Sequence, residues 1–74
     1  MANKGTFNQG WWNCFWSFAA ELLSVDRFAD GTCISVLEGA GITRKEARYQ
    51  LNNPQTGNDS VQEVIREYLA RLEK

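Results

Sequence analysis

Between Trp11 and Leu23 the chain places large apolar residues and alanine at helical spacing. Trp11, Trp12, Phe15, Trp16, Phe18, Ala19, Leu22 and Leu23 share an arc about 160° wide on a helical wheel. Asn13, Ser17, Ala20, Glu21 and Ser24 lie opposite. The spacing predicts a helix over 9–23, with Asn8 as its N-cap. Turn formers Asp26, Asp30 and Gly31 mark 25–31 as a connection, with Phe28 expected to plug the core. A second helix is predicted over 32–40, capped by Thr32 or Asp30. Ile34 and Leu37 face inward, with Cys33 and Val36 beside them. Gly39 weakens its last turn, and Gly41 is the expected left-handed terminator.

Thr43-Arg44-Lys45-Glu46 spells a capping box, with Ile42 and Ala47 at staple positions. It predicts a third helix over 43–52. Its apolar stripe is thin: Ala47 and Leu51, with Tyr49 to one side. Arg44, Lys45, Arg48 and Gln50 are expected in solvent. The 52–57 segment reads as a loop, since Pro54 disfavours helical backbone at Asn53. A fourth helix over 59–73 follows, opened by Asp59 with Gln62 or Ser60 with Glu63. Val61, Val64, Ile65, Tyr68, Leu69 and Leu72 form its stripe. Glu67 and Arg71 make an i, i+4 pair.

The pattern predicts an all-α fold: a compact four-helix domain with a tight hairpin between helices two and three. Helices one and four supply the core. Residues 1–74 form a single domain, with 1–7 flexible and Phe7 covering one edge of the aromatic cluster. Phe15, Phe18, Leu22, Leu37, Ile65, Tyr68 and Leu69 are the expected core.

Composition narrows the chemistry. A chain of 74 residues buries about 60% of its unfolded surface, so a fold this small is marginal. Its three Trp, two Tyr and four Phe each bring about 150–250 Å² of burial. Both a monomer and a weak homodimer sharing the tryptophan face fit. The absence of histidine removes the usual neutral-pH base and the commonest metal ligand. Cys14 and Cys33 do not make a tetrahedral zinc site by themselves. Asp26, Asp30 and Gly31 match calcium-loop positions, but Phe28 and Leu37 stand where oxygen ligands are needed. Ser17, Ser24, Ser35 and Ser60 have no histidine to activate them. Gly39 and Gly41 end a helix instead of opening a phosphate loop. No catalytic residue, metal site or cofactor is expected.

A net charge of −1 gives no strong overall field for nucleic acid or anionic lipid. The polar start, 1–7, lacks the apolar core of a signal peptide. The tryptophan run is too short to span a bilayer, and its polar face lacks the lysines and arginines of a surface-bound helix. A cytoplasmic protein with no membrane partner is expected. Both thiols are then reduced and act as small, mostly buried hydrophobes.

Two resemblances add to this reading. Residues 36–52, VLEGAGITRKEARYQLN, resemble the helix-turn-helix of bacterial repressors. Ala40-Gly41-Ile42-Thr43 matches the turn that opens a recognition helix. The resemblance implies that Arg44, Lys45, Arg48 and Asn52 approach a major groove. Two positions depart from the pattern: Leu37 stands where that family has Ala or Gly, and Gln50 where it has an aliphatic residue. The opening, 7–15, FNQGWWNCF, resembles small uncharacterised proteins of bacterial phages and mobile elements, which implies an accessory or regulatory role. The reading that follows is a non-enzymatic small helical binding module. It contacts an unidentified protein through Arg44, Lys45, Arg48, Tyr49 and Asn52 with the adjoining 52–58 loop. The alternative is a DNA-binding protein using a hairpin at 32–52.

Overall fold

The structure is a computed structural model and describes residues 9–53 and 58–73. The Asn8 cap, Phe7, the 1–7 segment and residues 54–57 of the expected loop therefore lie outside the described residues. Four helices follow one another: α1 (Gln9–Val25), α2 (Asp30–Ala40), α3 (Arg44–Asn52) and α4 (Asp59–Leu72). No strand occurs among the described residues. The radius of gyration is 11.5 Å, close to the roughly 11 Å of a compact domain this long.

The hub is α4, which packs against each of the other three helices. Its stripe at i, i+3, i+4 and i+7 buries Val61, Val64, Ile65 and Tyr68. Helix α1 meets it with Trp12, Phe15, Trp16 and Ala19, while α2 adds Cys33, Ile34 and Leu37. Helices one and four do share a core, but α4 alone reaches every neighbour.

The link from α2 to α3 is three residues long. Gly41 adopts left-handed backbone at φ 71°, a conformation glycine reaches without a Cβ penalty. Its N–H donates to the Glu38 carbonyl at 3.0 Å, and the Ile42 N–H to the Leu37 carbonyl at 3.2 Å. This is a Schellman closure, with the expected apolar contact pair, Ile42 and Leu37, both buried. The Tyr68 hydroxyl donates to the Ile42 carbonyl and ties the turn to α4.

Several expectations are corrected. Helix α2 starts at Asp30, after Ala29, which makes no side-chain cap bond; neither Thr32 nor Asp30 is the cap. Phe28 is 82% exposed, not a core plug. The Asp26 carboxylate accepts from the Phe28 N–H at 3.0 Å, and this Asx-type turn turns Phe28 outward while Ala29 is buried. Phe18 is 44% exposed and Leu72 40% exposed, because the apolar arcs of α1 and α4 are wider than the surfaces they meet. Leu22 and Leu69 are half-buried, and so is Ala20, expected on the polar side. Cys14 is exposed. Helix α4 is capped by Asn58, whose side chain accepts from the Val61 N–H at 3.1 Å, in place of a box at Asp59 or Ser60.

Candidate functional site

Nine residues are too few to hold a helix in water without tertiary support, so α3 depends on its anchors. Thr43 accepts from the Glu46 N–H at 3.2 Å, as the capping box requires. The reciprocal arm is used otherwise. The Glu46 carboxylate is buried and accepts from the Trp12 indole N–H at 3.2 Å. One turn later the Gln50 amide oxygen accepts from the Trp16 indole N–H at 3.3 Å. Gln50 is 1% exposed, which corrects the expectation that it faces solvent. The two bonds match i, i+4 on α1 to i, i+4 on α3. They fix the register of the two helices, and the fully buried Ala47 lies between them in sequence.

With Glu46, Ala47 and Gln50 turned inward, the opposite face is set by helical geometry. Arg44, Arg48, Asn52, Lys45 and Tyr49 occupy one arc of about 140°, and all five are exposed. The structure thus brings together every residue expected at the binding site. Tyr49 is 56% exposed. Arg48 pairs with Glu73, at the end of α4, at 3.1 Å. Both partners are about half exposed, so the pair is worth little as a stabiliser, but it sets a carboxylate at the margin of the basic face. Arg44 and Lys45 form no ion pair among the described residues. They stand in the first turn, where the positive end of the helix dipole adds to their field. The end of the face is closed by Asn53, whose N–H and side-chain amide both donate to the Tyr49 carbonyl, at 3.0 and 3.1 Å.

Sequence reasoning missed Glu46 and Gln50 as anchors and Glu73 as the partner of Arg48. The signal for the first was available in the shared four-residue spacing of Trp12/Trp16 and Glu46/Gln50. Nothing local pointed to Glu73, which is 25 positions from Arg48.

The thiols differ sharply. Cys33 is fully buried, and burial, then the nearby Asp30 charge, raises its pKa above the ordinary 9.0. Such a thiol is a poor nucleophile at neutral pH. Among the described residues no group of three or more Cys, Asp or Glu side chains is placed to hold a metal ion, and no helix is long and apolar enough to cross a membrane. Comparison with protein-family models, curated proteins and solved structures finds no match.

Proposed function

We propose that this chain is a non-enzymatic helical binding module that recognises an acidic surface on a protein partner through the outer face of α3. The observation that carries the reading is the division of α3. Three inward residues, two of them polar, lock it to the tryptophan helix, and the five outward ones form an unbroken exposed face. A rigid helix presenting two arginines, a lysine and a tyrosine suits protein recognition, where arginine and tyrosine dominate binding energy. The ion pair of Arg48 with Glu73 favours protein over duplex DNA. A phosphate backbone needs positive charge along its length, which a chain of net charge −1 with a carboxylate beside Arg48 does not supply, whereas a local acidic patch needs only Arg44 and Lys45.

A second reading, DNA recognition by the α2–α3 hairpin, is favoured by the left-handed Gly41 turn and the Thr43 cap, which suit a helix-turn-helix. Gln50 also answers one departure from that pattern. As a buried amide bonded to Trp16 it anchors α3, the task an aliphatic residue has there.

The two readings separate in one set of measurements. For protein recognition, a host-lysate pull-down retains a partner that Arg44→Glu or Lys45→Glu releases while the circular dichroism spectrum is unchanged. Duplex DNA then gives no salt-dependent mobility shift. Duplex binding at physiological salt, with log affinity falling linearly in log salt and weakened by Arg44→Ala, replaces the first reading with the second.

A further inference from the structure

The three cations on the outer face of α3 are not equivalent. Arg44 and Lys45 form no ion pair among the described residues, whereas Arg48 donates a single Nη2–Oε2 hydrogen bond of 3.1 Å to Glu73. That carboxylate is delivered by another element. Glu73 is the C-cap of α4, and its N–H donates to the Leu69 and Ala70 carbonyls at 3.1 and 3.3 Å. Because α4 packs directly on α3, the cap lies beside Arg48, 25 positions away in sequence. A helix C-terminus favours a cation and disfavours an anion, and α4 already carries Arg71 in its last turn. Nothing in the packing of α4 calls for a carboxylate at its cap. Glu73 is exposed, and its side-chain partner among the described residues is Arg48.

We propose, on the reading of α3 as a face for acidic protein surfaces, that Glu73 is a built-in competitor of the partner, holding Arg48 until a partner carboxylate takes its place. The pair is open to exchange. Its side chains are 58% and 47% exposed, so separating them strands no buried charge and costs little. It also resists exchange by a lone carboxylate, because Glu73 is tethered and competes at an effective concentration on the order of millimolar. A partner therefore engages Arg44 and Lys45 first. Arg48 joins as Glu73 leaves, and its freed guanidinium can then take a carboxylate through two parallel N–H bonds. The face thus discriminates by number: single carboxylates are refused, and a cluster that reaches Arg44, Lys45 and Arg48 together is accepted. Had Glu73 instead oriented Arg48 for the partner, its loss would weaken binding, so the sign of one substitution decides.

The test titrates the whole chain, up to millimolar, into a fluorescein-labelled hexaglutamate peptide and follows fluorescence anisotropy. In about 0.1 M salt the Debye length is about 10 Å. Glu73→Gln should tighten binding by roughly twofold to fivefold, the range spanned by exposed ion pairs, with the helical circular dichroism spectrum unchanged. Glu63→Gln is the matched control. It removes the same charge from another surface ion pair of α4, about 15 Å along the helix from Glu73, and should change affinity much less. The gain from Glu73→Gln should fall by at least about half in a chain that already carries Arg48→Gln. Phenylglyoxal labelling mapped by mass spectrometry reads the pair without a peptide: Glu73→Gln should raise the reactivity of Arg48 relative to Arg44. Affinity that is unchanged or lower in Glu73→Gln overturns the competition, as does an equal gain from Glu63→Gln or an Arg48 equally reactive in both chains. Those outcomes leave the reading of α3 standing where Arg44→Gln and Lys45→Gln still weaken binding. Binding indifferent to Arg44 and Lys45, or no binding by any chain, removes the reading and the competition together.

Discussion

Gln50 shows how one side chain decides the placement of a helix. Its amide is 1% exposed, and its oxygen takes the Trp16 indole proton at 3.3 Å. A buried donor that loses its acceptor costs about 1–3 kcal/mol. Gln50→Leu, close in volume, is therefore expected to destabilise by that amount in a denaturant titration, although leucine is the more hydrophobic residue. Trp16→Phe in the same background removes the orphaned N–H, so the double variant should lose less than the sum of the two single changes. Strict additivity would show that the bond contributes nothing. Gln50 shares the polarity of Arg44, Lys45 and Arg48 but lies about 60° from Ala47 on the helical wheel, so only its polar type hid its burial. Its acceptor role depends on a tryptophan 34 positions away, to which only the matching four-residue spacing of Trp12/Trp16 and Glu46/Gln50 pointed.

At the scale of elements, termini were set by more than their strongest local motif. Thr43 caps α3 as its sequence requires, yet Glu46 leaves the reciprocal bond for Trp12. A buried indole N–H without a partner is more costly than a solvent-exposed backbone donor. Thr43→Ala should lower stability by roughly 1 kcal/mol, read as a shifted thermal midpoint. An unchanged midpoint would mean that docking by Glu46 and Gln50 alone holds the helix start. The four helices and the Gly41 terminator were legible because each rests on spacing or backbone chirality within a few residues. The start of α2 was not, since an Asx turn at Asp26 gave the chain a way into helix without a capping side chain. The five outward residues of α3 were legible for a related reason. Inverting a face needs only the buried positions, and Ala47 already marked the inward side.

For the whole molecule, a buried phenol and a buried thiol predict an alkaline limit. Tyr68 is 2% exposed, and its pKa is raised above the ordinary 10.0 by burial first and the Glu38 charge second. Cys33 is raised above its ordinary 9.0 by burial and Asp30. Below about pH 8, a unit under the ordinary thiol value, both groups stay protonated in the folded and the unfolded chain alike, and their contribution to stability is fully present. Above that, the unfolded chain releases protons that the folded chain retains, so stability declines as pH rises through the interval up to the folded pKa values. The same ionisation removes the Tyr68 donor that holds the Ile42 carbonyl, loosening the turn that leads into α3. Urea titrations at neutral pH and at about pH 11 should show a lower midpoint at the higher pH. Tyr68→Phe lacks the ionisable hydroxyl. It should be less stable than the parent at neutral pH, by about 1 kcal/mol for the lost bond, and should lose less on going to high pH. If the variant and the parent lose the same amount, Tyr68 ionises freely in the folded state. Its tie between α4 and the turn before α3 would then contribute nothing to the alkaline transition.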